Sequence, residues 1–413
     1  MTTRAIVWPR LLAAGVALAL TVGAAAEARQ APAAKAGTHA AAPKATAPTP
    51  PGFAQLVKSA GEAREAEQWE TSVALYAKAL KLKPDFVEGY WYQAVGYYKL
   101  DMFTECRDQF RHVTRLTPRN GSAFAFLGLC EFGLKDYERS LEHLLQSRIL
   151  SVQDKDLGGV ARYHAAVLMT RAEQYDQALQ TLGEFASDNN DNPRVIEAMG
   201  IATLRMAMLP SEVPADRREM VLIAGRGSYM MATRMTAAAG KAFEALVARY
   251  PDVPNVHYAY AVFLLVEQPE KAIEEFKREL AIQPNHAASL QQIAYEYLRE
   301  SDAAAALPWA RQAVAASPNA YGSHKALGEA LLDTGDVPGA LVELRTAVKL
   351  APDSPSTHLA LAKALQRAGQ EDAAGREREE FARLDRLVRT NRAGAQSVGG
   401  IDGESRPSTS SPQ

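Results

Sequence analysis

Few residues of this chain have the type and spacing that could do chemistry. Cys106 and Cys130 are its two cysteines, too few for a disulfide framework or a four-thiolate zinc site. The eight histidines are scattered. Gly225-Arg226-Gly227-Ser228 looks like a fragment of a phosphate loop, but no strand pattern precedes it, and cradling a phosphate requires the strand–loop–helix context. There is no P-loop, GxSxG, HExxH or CxxC, so none of the constellations that would mark a nucleotide-binding protein or a hydrolase is present. The expectation is a protein without catalytic, cofactor or metal residues. Asn120-Gly121-Ser122 fits an N-glycosylation acceptor, yet Asn-Gly is also what a turn demands, and the turn is the reading taken.

Bulk properties narrow the class further. The chain has 413 residues, 47% hydrophobic and 23% charged, with 46 basic against 48 acidic residues and a formal net charge of −2. That balance offers no basic face for nucleic acid. Residues 1–28 read as a secretory signal peptide: Arg4 and Arg10 are followed by the apolar run Leu11–Gly23, with small-residue cleavage sites after Ala26 or Ala28. The run is shorter than the roughly 20 residues a membrane span needs. The mature protein is therefore expected in the periplasm or outside the cell, with no membrane span after cleavage. Residues 29–52 are rich in Ala and Pro and read as a disordered linker. The last stretch, 391–413, reads as a disordered tail.

The elements between these ends are set by a repeat. Pro84 and Pro118 are 34 residues apart, as are Pro284, Pro318 and Pro352, and Pro251 precedes Pro284 by 33. A period in the thirties means one supersecondary unit stacked many times. In the unit ending after Pro352, Leu327, Gly328, Leu331, Ala340, Leu344 and Ala347 recur at helical spacing, and Gly335-Asp336 breaks the chain between two helices. Pro352 punctuates the exit of the second helix. The frame fits 53–86, 87–120, 121–154, 253–286, 287–320 and 355–388, and more loosely 159–192.

This pattern resembles the tetratricopeptide repeat family, whose helix–turn–helix unit carries Leu-Gly, Tyr, Ala, Phe and Pro at these offsets. The resemblance implies an all-α solenoid of stacked helix–turn–helix repeats with an irregular half repeat in the middle. The expected segments are an N-terminal array over 53–192, a half repeat and loop over 193–219, and a C-terminal array with a polar capping helix over 220–390. Within the half repeat, Met199-Gly200 is placed in the Leu-Gly slot and 209–219 is read as a polar loop. The close packing of helices is also the role assigned to Gly225 and Gly227.

The repeat frame sharpens the earlier candidates. Cys106 falls on the second helix of one repeat and Cys130 on the first helix of the next, so the two helices should touch. A disulfide is open to them in an oxidising compartment, but the reading taken is two small buried apolar side chains. His324 and His358 occupy equivalent slots of neighbouring repeats. Packed helices are about 8–10 Å apart, too far for one metal ion with bonds of about 2.0–2.1 Å, and both rings are read as surface or half-buried.

In the family, the first helix of each unit lines the concave face. The resemblance therefore makes Trp91, Val95 and Tyr98, then Ala125, Leu129 and Phe132, then Tyr163 and Val167 the candidate lining. Of these, Trp91, Val95, Tyr98, Leu129, Phe132 and Tyr163 are the candidate contacts for a protein or peptide. Farther along, Gln291, Tyr295, Lys325, Glu329, Leu359 and Lys363 do not make the Lys- and Asn-rich clamp with which family members grip acidic chaperone tails. The function expected is a non-enzymatic interaction scaffold exported to the cell envelope. The alternative is a structural subunit that self-associates, or an accessory subunit of an envelope enzyme or secretion complex.

Overall fold

The computed structural model describes residues 50–187 and 191–397. The expected signal peptide, nearly all of the linker and the end of the tail lie outside the described residues. The chain is an all-α helical repeat. Nineteen α-helices occur among the described residues, in two compact units that divide within the eleventh helix, after Ala242.

The N-terminal unit contains α1 (Phe53–Glu65), α2 (Trp69–Leu82), α3 (Val87–Lys99), α4 (Phe103–Leu116), α5 (Gly121–Gly133), α6 (Tyr137–Leu150), α7 (Lys155–Arg171), α8 (Tyr175–Ser187), α9 (Pro193–Thr203) and α10 (Arg218–Ala232). After α11 (Thr236–Arg249), the C-terminal unit contains α12 (Val256–Leu264), α13 (Pro269–Ile282), α14 (Ala287–Arg299), α15 (Ala303–Ala316), α16 (Tyr321–Asp333), α17 (Val337–Leu350), α18 (Pro355–Arg367) and α19 (Glu371–Ser397). Thus α19 carries helix into the stretch read as tail. No proline or turn signal stops it before Ser397, and each added residue contributes one more backbone hydrogen bond.

Small residues near the start of each second helix set the hairpin spacing. Ala178, Ala239, Ala272, Ala306, Ala340 and Ala374 are all fully buried. Where serine takes this place its hydroxyl crosses to the first helix: Ser72 donates to the Ala60 carbonyl at 3.0 Å and Ser140 to the Gly128 carbonyl at 2.7 Å. Polar atoms so bonded do not leave a buried donor unpaired. One turn farther on, Tyr76, Phe110, Leu144, Leu182, Phe243, Phe276 and Leu344 fill the core.

The turns inside the hairpins use the left-handed region, mostly without glycine. Glu67, Asp101, Lys135, Glu173 and Ser301 have φ of 55–63°, where Gly335 and Gly369 have 92° and 71°. Within each unit the first helices of successive hairpins touch one another, as α3 with α5, α5 with α7, α14 with α16 and α16 with α18. This puts the first helices on the more crowded layer of each stack.

Three features of the N-terminal unit depart from the expected frame. Cys106 and Cys130 are joined by a disulfide with a Cα–Cα distance of 5.9 Å, within the range such bonds require. They are not two separate thiols. The second departure is α10, which follows the expected half repeat and pairs with α9, while Gly200 keeps the Leu-Gly slot. Gly200 meets Gly225 of α10, so that α10 packs directly on α9. The segment between them is not a detached polar loop either. It forms two short 3-10 turns, Pro210–Glu212 and Ala215–Arg217, and buries Leu209 and Val213. Leu209 joins the core formed by α5 to α9, and Arg171 fastens the first turn through Glu212 at 2.7 Å.

Candidate protein-binding face

The candidate contacts are carried by α3, α5 and α7, adjacent first helices of the N-terminal unit. Helical spacing brings Trp91, Val95 and Tyr98 onto one face of α3. The structure sorts the aromatic rings into two groups. Trp91 and Tyr98 both lie edge-on to Phe126 of α5, with centroids 5.8 Å away in each case, and Trp91 also meets Phe110 at 5.4 Å. Phe132 and Tyr163 share His164, with centroid distances of 4.7 and 5.5 Å. Phe132 further contacts Tyr137 at 5.6 Å, over which the Arg171 guanidinium sits at 4.9 Å.

Burial divides the same residues. Trp91, Val95, Tyr98, Phe132 and Tyr163 are half-buried. Leu129 is only 4% exposed and belongs, with Ala125 and Val167, to the core beneath them. It supports the face and presents no surface to a partner. Phe126 and His164 join the ring groups without having been singled out in the sequence. Their signal was proximity on the helix: Phe126 follows a lining position by one residue, and His164 follows Tyr163.

The electrostatics reflect an apolar environment. Burial raises the pKa of the Tyr98 and Tyr163 hydroxyls above the usual tyrosine value, with Asp101 adding to the effect at Tyr98 and Glu197 at Tyr163. Burial lowers the His164 pKa below the usual histidine value. Its Nδ1 lies 2.8 Å from the Val160 carbonyl oxygen, so that nitrogen donates. Half-buried rings backed by a packed core can supply apolar contact area at small conformational cost. Among the described residues no group of three His, Cys, Asp or Glu is placed to hold a metal ion, and no helix is long and apolar enough to cross a membrane.

Asn120 acts as a helix cap, its side chain accepting from the Ala123 amide at 3.1 Å. His324 and His358 are buried, 8% and 6% exposed, and not at the surface.

Comparison with known proteins bears on the fold. Residues 311–369 match the family model for the TPR repeat. No curated protein matches the chain. Among solved structures, MamA residues 41 to the end from Desulfovibrio magneticus RS-1 is similar at 19% identity. That match covers 41% of this chain and 96% of that one, with a TM-score of 0.37. The APC/C hetero-tetramer Cut9-Hcn1 is similar at 12% identity over 80% of this chain and 87% of that one, with a TM-score of 0.39. The reading of the site rests on the residues above.

Proposed function

We propose that this chain is a scaffold without a reaction of its own, and that it binds a protein or peptide on the first-helix face of the N-terminal unit. The observation that carries the proposal is the pair of half-buried ring groups on that face, Trp91 with Tyr98 and Phe132 with Tyr163, over a continuous core. Aromatic anchors dominate many interfaces. The TPR match at 311–369 agrees with an interaction role, although it lies in the other unit.

The same proposal places the protein in an oxidising compartment, the periplasm or the exterior. Two observations support this: the signal-peptide pattern of residues 1–28 and the Cys106–Cys130 disulfide, a bond that persists outside reducing cytosol. The test is affinity capture of the mature chain from the exported fraction, read by mass spectrometry, against a Phe132→Ala/Tyr163→Ala variant. These two residues are chosen because Trp91 also packs on the buried Phe110, so its loss would perturb folding. Loss of specific partners in the variant supports the face, whereas unchanged capture removes it. Sedimentation of the purified chain distinguishes the alternative, since a stable oligomer that dissociates in the variant would make the face a self-association surface.

A further inference from the structure

Three histidines of the C-terminal unit repeat one geometry. His257 places Nδ1 2.5 Å from Glu275 Oε2 and Nε2 2.8 Å from the Pro251 carbonyl oxygen. His324 places Nδ1 2.6 Å from Glu343 Oε2 and Nε2 2.8 Å from the Pro318 carbonyl oxygen. His358 does the same with Glu377 at 2.6 Å and Pro352 at 2.7 Å. All three side chains are buried or nearly so. In each case the ring sits on a first helix, the carboxylate on the following second helix, and the carbonyl on the proline six residues back.

A carbonyl and a carboxylate oxygen both accept. An imidazole placed between two acceptors satisfies both only if each ring nitrogen bears a proton, which makes the ring a cation. Its site favours that state twice over. The carboxylate supplies the opposite charge, and the prolines Pro318 and Pro352 lie two residues past the ends of α15 and α17, where the helix dipole is negative.

We propose that His257, His324 and His358 form three copies of one charged clasp, each an imidazolium held between a second-helix carboxylate and the carbonyl that ends the preceding hairpin, and that these clasps make the folding of the C-terminal unit respond to pH.

Among the described residues all three clasps lie in this unit. Among its repeats, 287–320 carries Leu290 and Trp309 at the equivalent places, an apolar pair that cannot titrate. In the N-terminal unit the places after Pro84 and Pro118 hold Tyr90 and Phe124.

Other charges around the rings act on the same balance. Arg278 binds the second oxygen of Glu275 at 2.6 Å, and Glu279 of α13 adds negative charge near His257. Glu343 of α17 is the carboxylate bonded to His324. Glu380 of α19 lies near His358. Its carboxyl is held below the usual range chiefly by the hydrogen bond from Arg383, with His358 a lesser cause. For His257, the hydrogen bond to Glu275 raises the pKa above the usual histidine value and outweighs burial, which lowers it. A group raised in the folded state gives stability that is complete below its unfolded value, about 6.5, and is lost as the pH rises through the folded value. The unit should thus be firmest at mildly acidic pH and loosen in alkali.

Histidine-selective 15N NMR of the full chain at pH 7.0 reads the ring protons directly. The expected result is two protonated nitrogens on each of the three rings. A neutral ring at any of them overturns the three-clasp proposal. The second readout is thermal unfolding between pH 6 and 9. The midpoint of the C-terminal transition should fall by about 3 °C or more, and a Glu275→Gln/Glu343→Gln/Glu377→Gln variant should lose most of that dependence. A midpoint that does not move with pH in the native chain, or that moves equally in the variant, contradicts the proposal. If the variant fails to fold, the NMR measurement on the native chain still decides.

Discussion

Gly200 and Gly225 hold the backbones of α9 and α10 in direct contact. A Cβ on Gly200 would stand 1.9 Å from the Val221 carbonyl oxygen, and one on Gly225 would stand 1.9 Å from the Ile196 carbonyl oxygen. The obstacles are backbone atoms, which cannot swing aside as a side chain can. Beside this contact Thr203 and Ser228 exchange a buried hydroxyl hydrogen bond at 2.6 Å. This close approach pairs α9 with α10 across the segment where the repeat frame lapses, and Leu209 of that segment lies in the core.

Gly200→Ala should therefore cost about 1–3 kcal/mol through overpacking, and Gly225→Ala a similar amount. Gly61→Ala is the control, because nothing lies within 4 Å of its added carbon and alanine favours the helix by about 1 kcal/mol. Urea unfolding of the three variants checks this. Equal stability of Gly200→Ala and the native chain would mean that α9 and α10 do not meet as described.

Reduction of the Cys106–Cys130 bond should destabilise the N-terminal unit. The bond closes a loop of sequence separation 24, for which the chain-entropy estimate is about 3 kcal/mol. Thiol titration of the denatured, non-reduced protein should find no free thiol. Thermal unfolding with and without reductant should then differ, while Cys106→Ala/Cys130→Ala should match the reduced protein and lose its sensitivity.

His164 should behave oppositely to His257. Burial lowers its pKa in the folded state, so its contribution is complete above about 6.5 and is lost as the pH falls through the folded value. The expected NMR titration midpoint for its ring lies below 6.5. A midpoint above that value would show that His164 is not enclosed by Phe132 and Tyr163 as described.

Much of the fold was legible because a stacked hairpin needs small residues at a fixed interval. Ala272, Ala306 and Ala340 recur every 34 residues and are all fully buried. The middle was less legible because its contacts do not repeat. Gly200 was readable as a Leu-Gly slot residue, but the helix it faces, α10, begins only after the 209–217 segment, which the repeat frame does not contain. The turns gave little signal, since Asp101, Lys135 and Ser301 adopt positive φ where glycine would have marked the place.

The lining rule named Trp91, Val95, Tyr98, Phe132 and Tyr163, which are half-buried, together with Leu129, which the structure buries. The clasps were missed for a different reason. His324 and His358 invited comparison with each other, whereas their partners stand nineteen residues on, at Glu343 and Glu377. The pairing of histidine six residues after proline with a glutamate on the next helix was present in the sequence and would identify the clasp elsewhere.

The proposed function requires the first-helix face of the N-terminal unit to meet another protein. A photo-crosslinking side chain placed at Tyr163, with Glu138 on the exposed side of α6 as the control position, tests it in the full chain in the producing cells. The expected result is a discrete crosslinked species from position 163 and none from 138. Equal labelling at both positions, or no adduct at 163, would contradict it.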